Sequence, residues 1–562
     1  NRRAEFAYQN AELYGVMDWK NAGGEYPEKQ LQEGWEVILR NQFHDILPGS
    51  SIREVYEDSR EEYEGILKKS RNMTEAALDH IASNINAPAG SLVVFNPNSA
   101  PSAELVRLPA SEHFQNPVVC DGGERLPVQK TADGFWIFYA VGVPAKGYKT
   151  YMVTEAVTAD RLTEEVRTHA AEAIPEEMRT NEALVDTASK TGGIHSAAER
   201  LLCKDLEYVG GMKISTAVME NDFFRVEYNE KGQFARIFDK KAEREVLKPG
   251  QAGNVIVSYE DRPHNYDAWD INNYYTEKSW EIDQVTSMEV TEYGPVRGCV
   301  RIKRSYLDSV ITQYVYLYRD IPRIDIRNVI DWKEHQILLK DYFPVDVHAN
   351  EAVFEIQYGN VKRNTHDNTS WDFAKFEVCH HKWLDVSEDG YGVSILNDCK
   401  YGVSVRGGQI GLSMLKSPIY PNPDADKEVH EFTYAIYPHR QDWRAAGTVQ
   451  QAYRLNNPLS AVWKENEGGM LDMSYSLVTS NQENAVIEVV KKAEDSDGII
   501  VRLYECCNRR TPVTLTFGRK LASAVECSML EVTEQPVEFE GNTASFTMRP
   551  YEIKTLKVSF FR

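Results

Sequence analysis

The chain has 562 residues, 42% hydrophobic and 26% charged, which suits a globular protein of roughly three or four domains. Its formal charge of −22 disfavours nucleic acid and anionic membranes as partners, since both repel a polyanion, but leaves a neutral ligand free to bind. No apolar run approaches the roughly 20 residues of a membrane span, and the eight cysteines show no CxxC spacing and one adjacent pair, Cys506–Cys507, which points to a reduced, cytoplasmic compartment.

Residues 1–87 read as a helical bundle. Leu31, Trp35, Ile38, Leu39 and Phe43 recur at helical spacing, with Pro27 at a tolerated start position. Ile52, Val55, Tyr63, Ile66, Met73, Ala77 and Ile81 form a second, longer stripe suited to antiparallel packing. Between the stripes lies NQFHDILPGSSI, Asn41–Ile52. It sets His44 beside Asp45 at a helix end, and Pro48 and Gly49 stop the helix. Ser51 with Glu54 predicts a capping box that starts the next helix. A corner of this kind can aim an imidazole and a carboxylate into one cleft, whereas neighbours in mid-helix diverge by about 100°. Imidazole is a common zinc ligand, and a carboxylate can bind metal, proton or hydroxyl.

After Asn86–Gly90 the texture becomes strand-rich. The fold class expected is α+β multidomain, with a helical bundle followed by β-sandwich domains from about residue 91. A first β-domain is expected over 91–155, a large β-sandwich over 216–462 and a C-terminal β-sandwich over 470–562, with Trp463–Gly469 as linker. Residues 156–215 are acidic and rich in Ala and Glu, and read as an inserted, partly helical excursion. No GxGxxG or Walker loop occurs, so no nucleotide site is expected.

Arg262–Ile271 reads RPHNYDAWDI. Tyr266, Asp267, Trp269 and Asp270 combine flat aromatic faces, which take the C–H side of a sugar ring, with carboxylates that take its hydroxyls. A strand-edge loop with inward aromatics is the competing reading. His366, Glu377, His380 and His381 could be drawn as a second metal set, but their region alternates like a strand and satisfied polar groups are the better expectation.

The corner string resembles the helix-corner signature of the glycoside hydrolase family 38 α-mannosidases. YDAWD, Asn364–Gly402 and Ser417–His439 (SPIYPNPDADKEVHEFTYAIYPH) resemble the cytosolic and bacterial class of the same family. The resemblance implies an exo-acting, retaining α-mannosidase with one zinc ion, acting on an α-mannoside or oligomannose. It implies that His44 is a zinc ligand, that Asp45 contacts mannose hydroxyls, and that Tyr266, Asp267, Trp269 and Asp270 line the cleft. The family's α/β catalytic domain, with its N-terminal His-Asp zinc motif, finds no match here. The chain is therefore expected to be the later part of a longer polypeptide. The nucleophile and acid/base would lie in the missing domain, and this chain alone would be inactive. A non-catalytic carbohydrate-binding or scaffold protein, and a hydrolase of a mannosylated small molecule such as mannosylglycerate, are the alternatives. Association into a homo-oligomer is left open.

Overall fold

The computed structural model describes residues 1–110, 114–156, 210–532 and 535–561. The excursion expected over 156–215 lies almost entirely outside the described residues. The architecture is α+β and multidomain, with helices first and sheets after them.

Three helices form the N-terminal bundle: α1 (Arg2–Met17), α2 (Glu28–Asn41) and α3 (Arg53–Ser83). α1 is buried on nearly every side, as a helix at the centre of several layers must be. Ala4, Tyr8 and Ala11 pack against Leu31, Ile38 and Ile66 of α2 and α3. Leu13, Tyr14, Val16 and Met17 pack with Ala77, Leu78 and Ile81 onto the C-terminal sandwich. Gly34 permits the close approach of α2 to α1, because a Cβ there would lie 2.0 Å from the ring of Tyr8.

The α2 stripe departs from its expectation at two positions. Leu39 is 61% exposed and Phe43 is 54% exposed. Leu39 follows the buried Ile38 and so points about 100° away, while Phe43 lies beyond the last helical residue. The capping box is also corrected. α3 begins at Arg53, with Ile52 at the N-cap and no side-chain cap bond. Ser51 instead donates its backbone N–H to the Tyr56 hydroxyl at 2.8 Å.

The sheets are antiparallel throughout their named strand pairs. The large sandwich sets a nine-stranded sheet, running from Val285–Tyr293 at one edge to Gly359–Asn364 at the other, against a six-stranded sheet that includes Val255–Glu260, Ile337–Pro344 and Gln409–Lys416. Their shared core contains Val300, Ile326, Trp332, Phe343 and Ile395. The C-terminal sandwich forms from strands that include Ala485–Lys492, Ile499–Glu505, Thr511–Phe517 and Ile553–Phe560. These four lie where β-branched runs occur in the sequence.

The boundary expected at residue 462 needs correction. Ser460–Trp463 is a strand that returns to the first β-domain, pairing Trp463 with Leu92 and Ser460 with Phe95. Ser474–Ser476 joins the same sheet against Gly147–Lys149. The first β-domain is thus completed by residues from both sides of the large sandwich.

Two buried cations lock these layers. Arg2 donates to the Asn397 carbonyl at 2.8 Å and to Asn456 Oδ1 at 3.2 Å, and its guanidinium lies 4.7 Å from the centre of the Tyr401 ring. Arg323 pairs with Glu104 of the first β-domain at 2.9 Å and with Asp325 at 2.8 Å.

Replacing Gly34 by Ala should cost about 1–3 kcal/mol through overpacking against the fully buried Tyr8. Gly65→Ala on α3, where an added Cβ meets nothing, should instead stabilise by about 0.5–1 kcal/mol. Urea denaturation of the two variants checks the contrast; equal effects would contradict the packing assignment.

Candidate functional site

The corner is a run of turns between α2 and α3, and its backbone is held from two directions. Gly49 adopts a φ of +86°, a left-handed conformation that glycine reaches without strain. The Asp45 carbonyl accepts from the Ser50 N–H at 3.2 Å and from the Tyr56 hydroxyl at 3.1 Å. Asp45 Oδ1 accepts from Ser50 Oγ at 3.3 Å. Tyr56, one turn into α3, therefore fixes the corner through its single hydroxyl.

His44 projects outward from this frame. Its side chain is 74% exposed, and Nε2 stands 3.4 Å from Asp45 Oδ2. Its ring lies against Phe43 with centroids 4.2 Å apart. The two side chains present a nitrogen and a carboxylate oxygen to one edge. A metal held there would need donors from elsewhere, since two groups cannot complete a tetrahedral site. Among the described residues no three His, Cys, Asp or Glu side chains are grouped to hold an ion.

Beneath His44 a cavity of about 1020 Å³ opens between the bundle and the sandwiches, lined by Glu12, Trp35 and Leu39 on one side and Tyr358, His381 and Tyr401 on the other. Burial pushes the Glu12 carboxyl up to about 7, against a 2.9 Å hydrogen bond from Trp35 Nε1 and the charges of Lys491 and Arg502. Burial also pulls His381 down to about 4.

The RPHNYDAWDI loop is an exposed aromatic platform with a buried anchor. Tyr266 is 63% and Trp269 65% exposed. Tyr266 lies 6.2 Å from Trp269 and 6.2 Å from Tyr420, ring centre to ring centre. Asp267 is buried, and its two carboxylate oxygens accept the backbone N–H groups of Ile419 at 2.9 Å and Tyr420 at 3.0 Å. Lys416 adds bonds to the Asp267 and Asp270 carbonyls and an ion pair to Asp261 at 3.1 Å. Asp270 Oδ1 accepts from the N–H of Ile271 at 2.9 Å. Within the motif the acids and aromatics thus divide: Tyr266 and Trp269 offer open faces, whereas Asp267 holds the loop to Ser417–Pro421. Tyr420 belongs to the platform and was not singled out from sequence; its signal was the SPIYP string, whose proximity to the loop only the fold reveals.

Corner and platform are linked through the segment after Tyr420. Arg53 at the start of α3 pairs with Asp424 at 3.1 Å, and Arg60 pairs with Glu428 at 2.7 Å. The second metal set considered from sequence has other partners. Glu377 pairs with the buried Lys340 and accepts from the Tyr275 hydroxyl at 3.1 Å. His380 Nδ1 lies 3.0 Å from the Tyr401 carbonyl and Nε2 lies 2.8 Å from Asn397 Nδ2. His366 Nδ1 is 3.8 Å from the Asp372 carboxylate.

Three family models match the chain. Residues 1–81 match the alpha mannosidase middle domain, 219–424 the glycosyl hydrolases family 38 C-terminal domain, and 484–556 the family 38 C-terminal beta sandwich domain. The architecture is thereby one of the glycosyl hydrolases. The chain belongs to glycosyl hydrolase family 38 and carries that family's middle, C-terminal and C-terminal β-sandwich domains. It is 28% identical over 570 residues to Alpha-mannosidase G of Dictyostelium discoideum, covering 95% of this chain and 48% of that protein. It is 29% identical over 566 residues to Alpha-mannosidase 2C1 of Homo sapiens, covering 99% and 48%. The chain spans about half the length of these curated relatives. Its fold is similar to that of an alpha-mannosidase from Enterococcus faecalis V583, with a TM-score of 0.76 at 16% identity over 100% of this chain and 66% of the other. No helix among the described residues is long and apolar enough to cross a membrane.

Two outcomes are expected. Asp267→Ala should remove charge-assisted bonds worth about 1.5–3 kcal/mol and speed hydrogen exchange at the Ile419 and Tyr420 amides; unchanged protection there would show that the carboxylate does not hold the loop. For Glu12, the native carboxyl keeps its proton to about 7, while the ordinary value is 4.5. Between these values the folded state binds more protons than the unfolded chain, so this contribution to stability is full below about 4.5 and lost as pH rises through about 7. Stability measured against pH should therefore fall less across that window in Glu12→Gln than in the wild type.

Proposed function

We propose that this chain is the middle and C-terminal part of a zinc-dependent, exo-acting, retaining α-mannosidase that removes terminal α-linked mannose from oligosaccharides. The observation that carries the reading is the exposed His44–Asp45 pair on a rigid corner, in a chain whose relatives are named alpha-mannosidases. The nucleophile, the acid/base and the remaining zinc ligands are assigned to a catalytic domain outside this sequence, and the compartment to the cytoplasm.

His44 would hold the zinc through its imidazole. The ion would supply electrostatic stabilisation and orientation to the sugar hydroxyls. Asp45, anchored by Ser50, would accept from a mannose hydroxyl, and its oxygen 3.4 Å from His44 Nε2 would orient the ring. The faces of Tyr266 and Trp269 would take the apolar side of a substrate sugar, with Tyr420 beside them. Asp270 would accept a hydroxyl through the oxygen not used by Ile271. Asp267 would act as a positioning residue for this platform, since its oxygens already serve Ile419 and Tyr420. Retention would follow from two catalytic carboxylates about 5–5.5 Å apart in the catalytic domain.

The aromatic trio also favours a second reading, a carbohydrate-binding module without catalysis. Hydrolysis of an aryl α-mannoside separates the two. This chain alone should be inactive, and the longer protein should be active and silenced by a chelator. In that longer protein His44→Ala should lower zinc content and cut kcat/KM at least about 100-fold while leaving Tm near the wild-type value. Full zinc occupancy in the variant would sink the ligand assignment, and sugar binding without turnover in the longer protein would favour the module.

A further inference from the structure

Away from the corner and the platform, Cys506 and Cys507 form a chemical unit with no role in the proposed reaction. They follow the strand Ile499–Glu505, and their sulfurs are 3.7 Å apart. The turn that carries them is fixed by the fully buried Glu505 carboxylate. It accepts the N–H groups of Cys507 at 2.8 Å, Arg509 at 3.0 Å and Tyr551 at 3.0 Å, and the Asn484 side-chain amide at 2.8 Å. Cys506 is buried, whereas Cys507 is half-buried. Both line a cavity of about 400 Å³ together with Arg444, Glu483 and Arg509.

The two thiols are unequal. The contact with Cys506, aided by the nearby Arg444 and Arg509, draws the Cys507 thiol below its ordinary value against the opposing effects of burial and the Glu505 carboxylate. That same contact, with burial, pushes Cys506 well up. Burial pushes Cys299 and Cys399 up to about 12, and raises Cys379 as well. A thiolate is the nucleophile in disulfide exchange, so among these five thiols the half-buried Cys507 should react first.

We propose that Cys506 and Cys507 are a reactive vicinal dithiol, a modification site for small-molecule disulfides of the glutathione class, with Cys507 attacking and Cys506 resolving. In the first step the Cys507 sulfur bonds to one sulfur of the disulfide. The other half leaves as thiolate and takes up the proton that Cys507 released. In the second step the Cys506 sulfur bonds to Cys507, and the attached half leaves with the Cys506 proton. The protein loses two hydrogens, and one disulfide becomes two thiols. Neighbouring Cα atoms are about 3.8 Å apart, closer than the roughly 4.4–6.8 Å of ordinary disulfides. The eight-membered ring is therefore strained and open to reduction, the behaviour of a switch. Its formation must draw the two sulfurs from 3.7 Å to about 2 Å and so shift this turn. The Cys506 carbonyl accepts from Asn360 at 3.0 Å and the Cys507 carbonyl from Arg444 at 3.1 Å, so oxidation acts on the contact between terminal and large sandwiches.

The test treats the intact chain with oxidised glutathione, alkylates free thiols, and reads the peptide bearing both cysteines by mass spectrometry. Wild type should lose two hydrogens, carry no lasting glutathione, and recover with dithiothreitol. Cys506→Ser should trap glutathione on Cys507. Cys507→Ser should react at Cys506 at least about tenfold more slowly. A lasting adduct on the wild-type pair, equal rates in the two variants, or no reaction at either sulfur would overturn the proposal. Should either variant fold poorly, limited alkylation of the wild-type chain decides: first label on Cys507 is expected, and first label on Cys506 would overturn the assignment.

Discussion

Arg2 places a guanidinium beneath the first turn of α1, almost fully buried, with the oxygens of Asn397 and Asn456 as acceptors and Tyr401 as a facing ring. These partners belong to the large sandwich and to the helix Thr448–Asn456 that follows it. A buried charge costs several kcal/mol to desolvate, so its position is fixed by the acceptors that offset that cost. Because α1 is central to the bundle, fixing its start fixes α2 and α3, and with them the turn that carries His44. The relation between imidazole and aromatic platform thus depends on this cation as well as on the Arg53–Asp424 and Arg60–Glu428 pairs that link the two directly.

The corner shows the same economy of means. Its exposed pair has little packing of its own, and rigidity comes from Tyr56, which bonds the backbone at Asp45 and Ser51 together. The platform inverts the arrangement, with exposed rings resting on a buried carboxylate. In both places the groups offered to solvent are held by groups more withdrawn from it.

Much of this was legible in the residues. The two helical stripes located α2 and α3, β-branched runs located the terminal strands, and the corner and YDAWD strings marked the two surfaces. What failed lay outside the local rule used to read it, often in a partner the rule does not consult. Ser51 and Glu54 fit the local rule for a cap, yet Tyr56 claims the Ser51 amide. Asp267 and Asp270 look equivalent in a string of ten residues; only the approach of Ile419 and Tyr420 separates an anchor from an acceptor. Leu39 satisfied a periodicity whose outer members reach beyond the packed face of α2. Trp463–Gly469 has the composition of a linker, and its first residue completes a strand ladder with Leu92.

That returning strand has a consequence for synthesis. Leu92–Phe95 pairs early with Tyr148–Tyr151, but its other edge waits for Ser460–Trp463. The ribosome must deliver the whole large sandwich before the ladder can close. Throughout that interval the nascent protein presents an open edge of buried-type residues, the kind of edge that recruits foreign strands. The large sandwich is in effect a parenthesis inside the first β-domain, and the smaller domain cannot be finished until the larger one has been spoken.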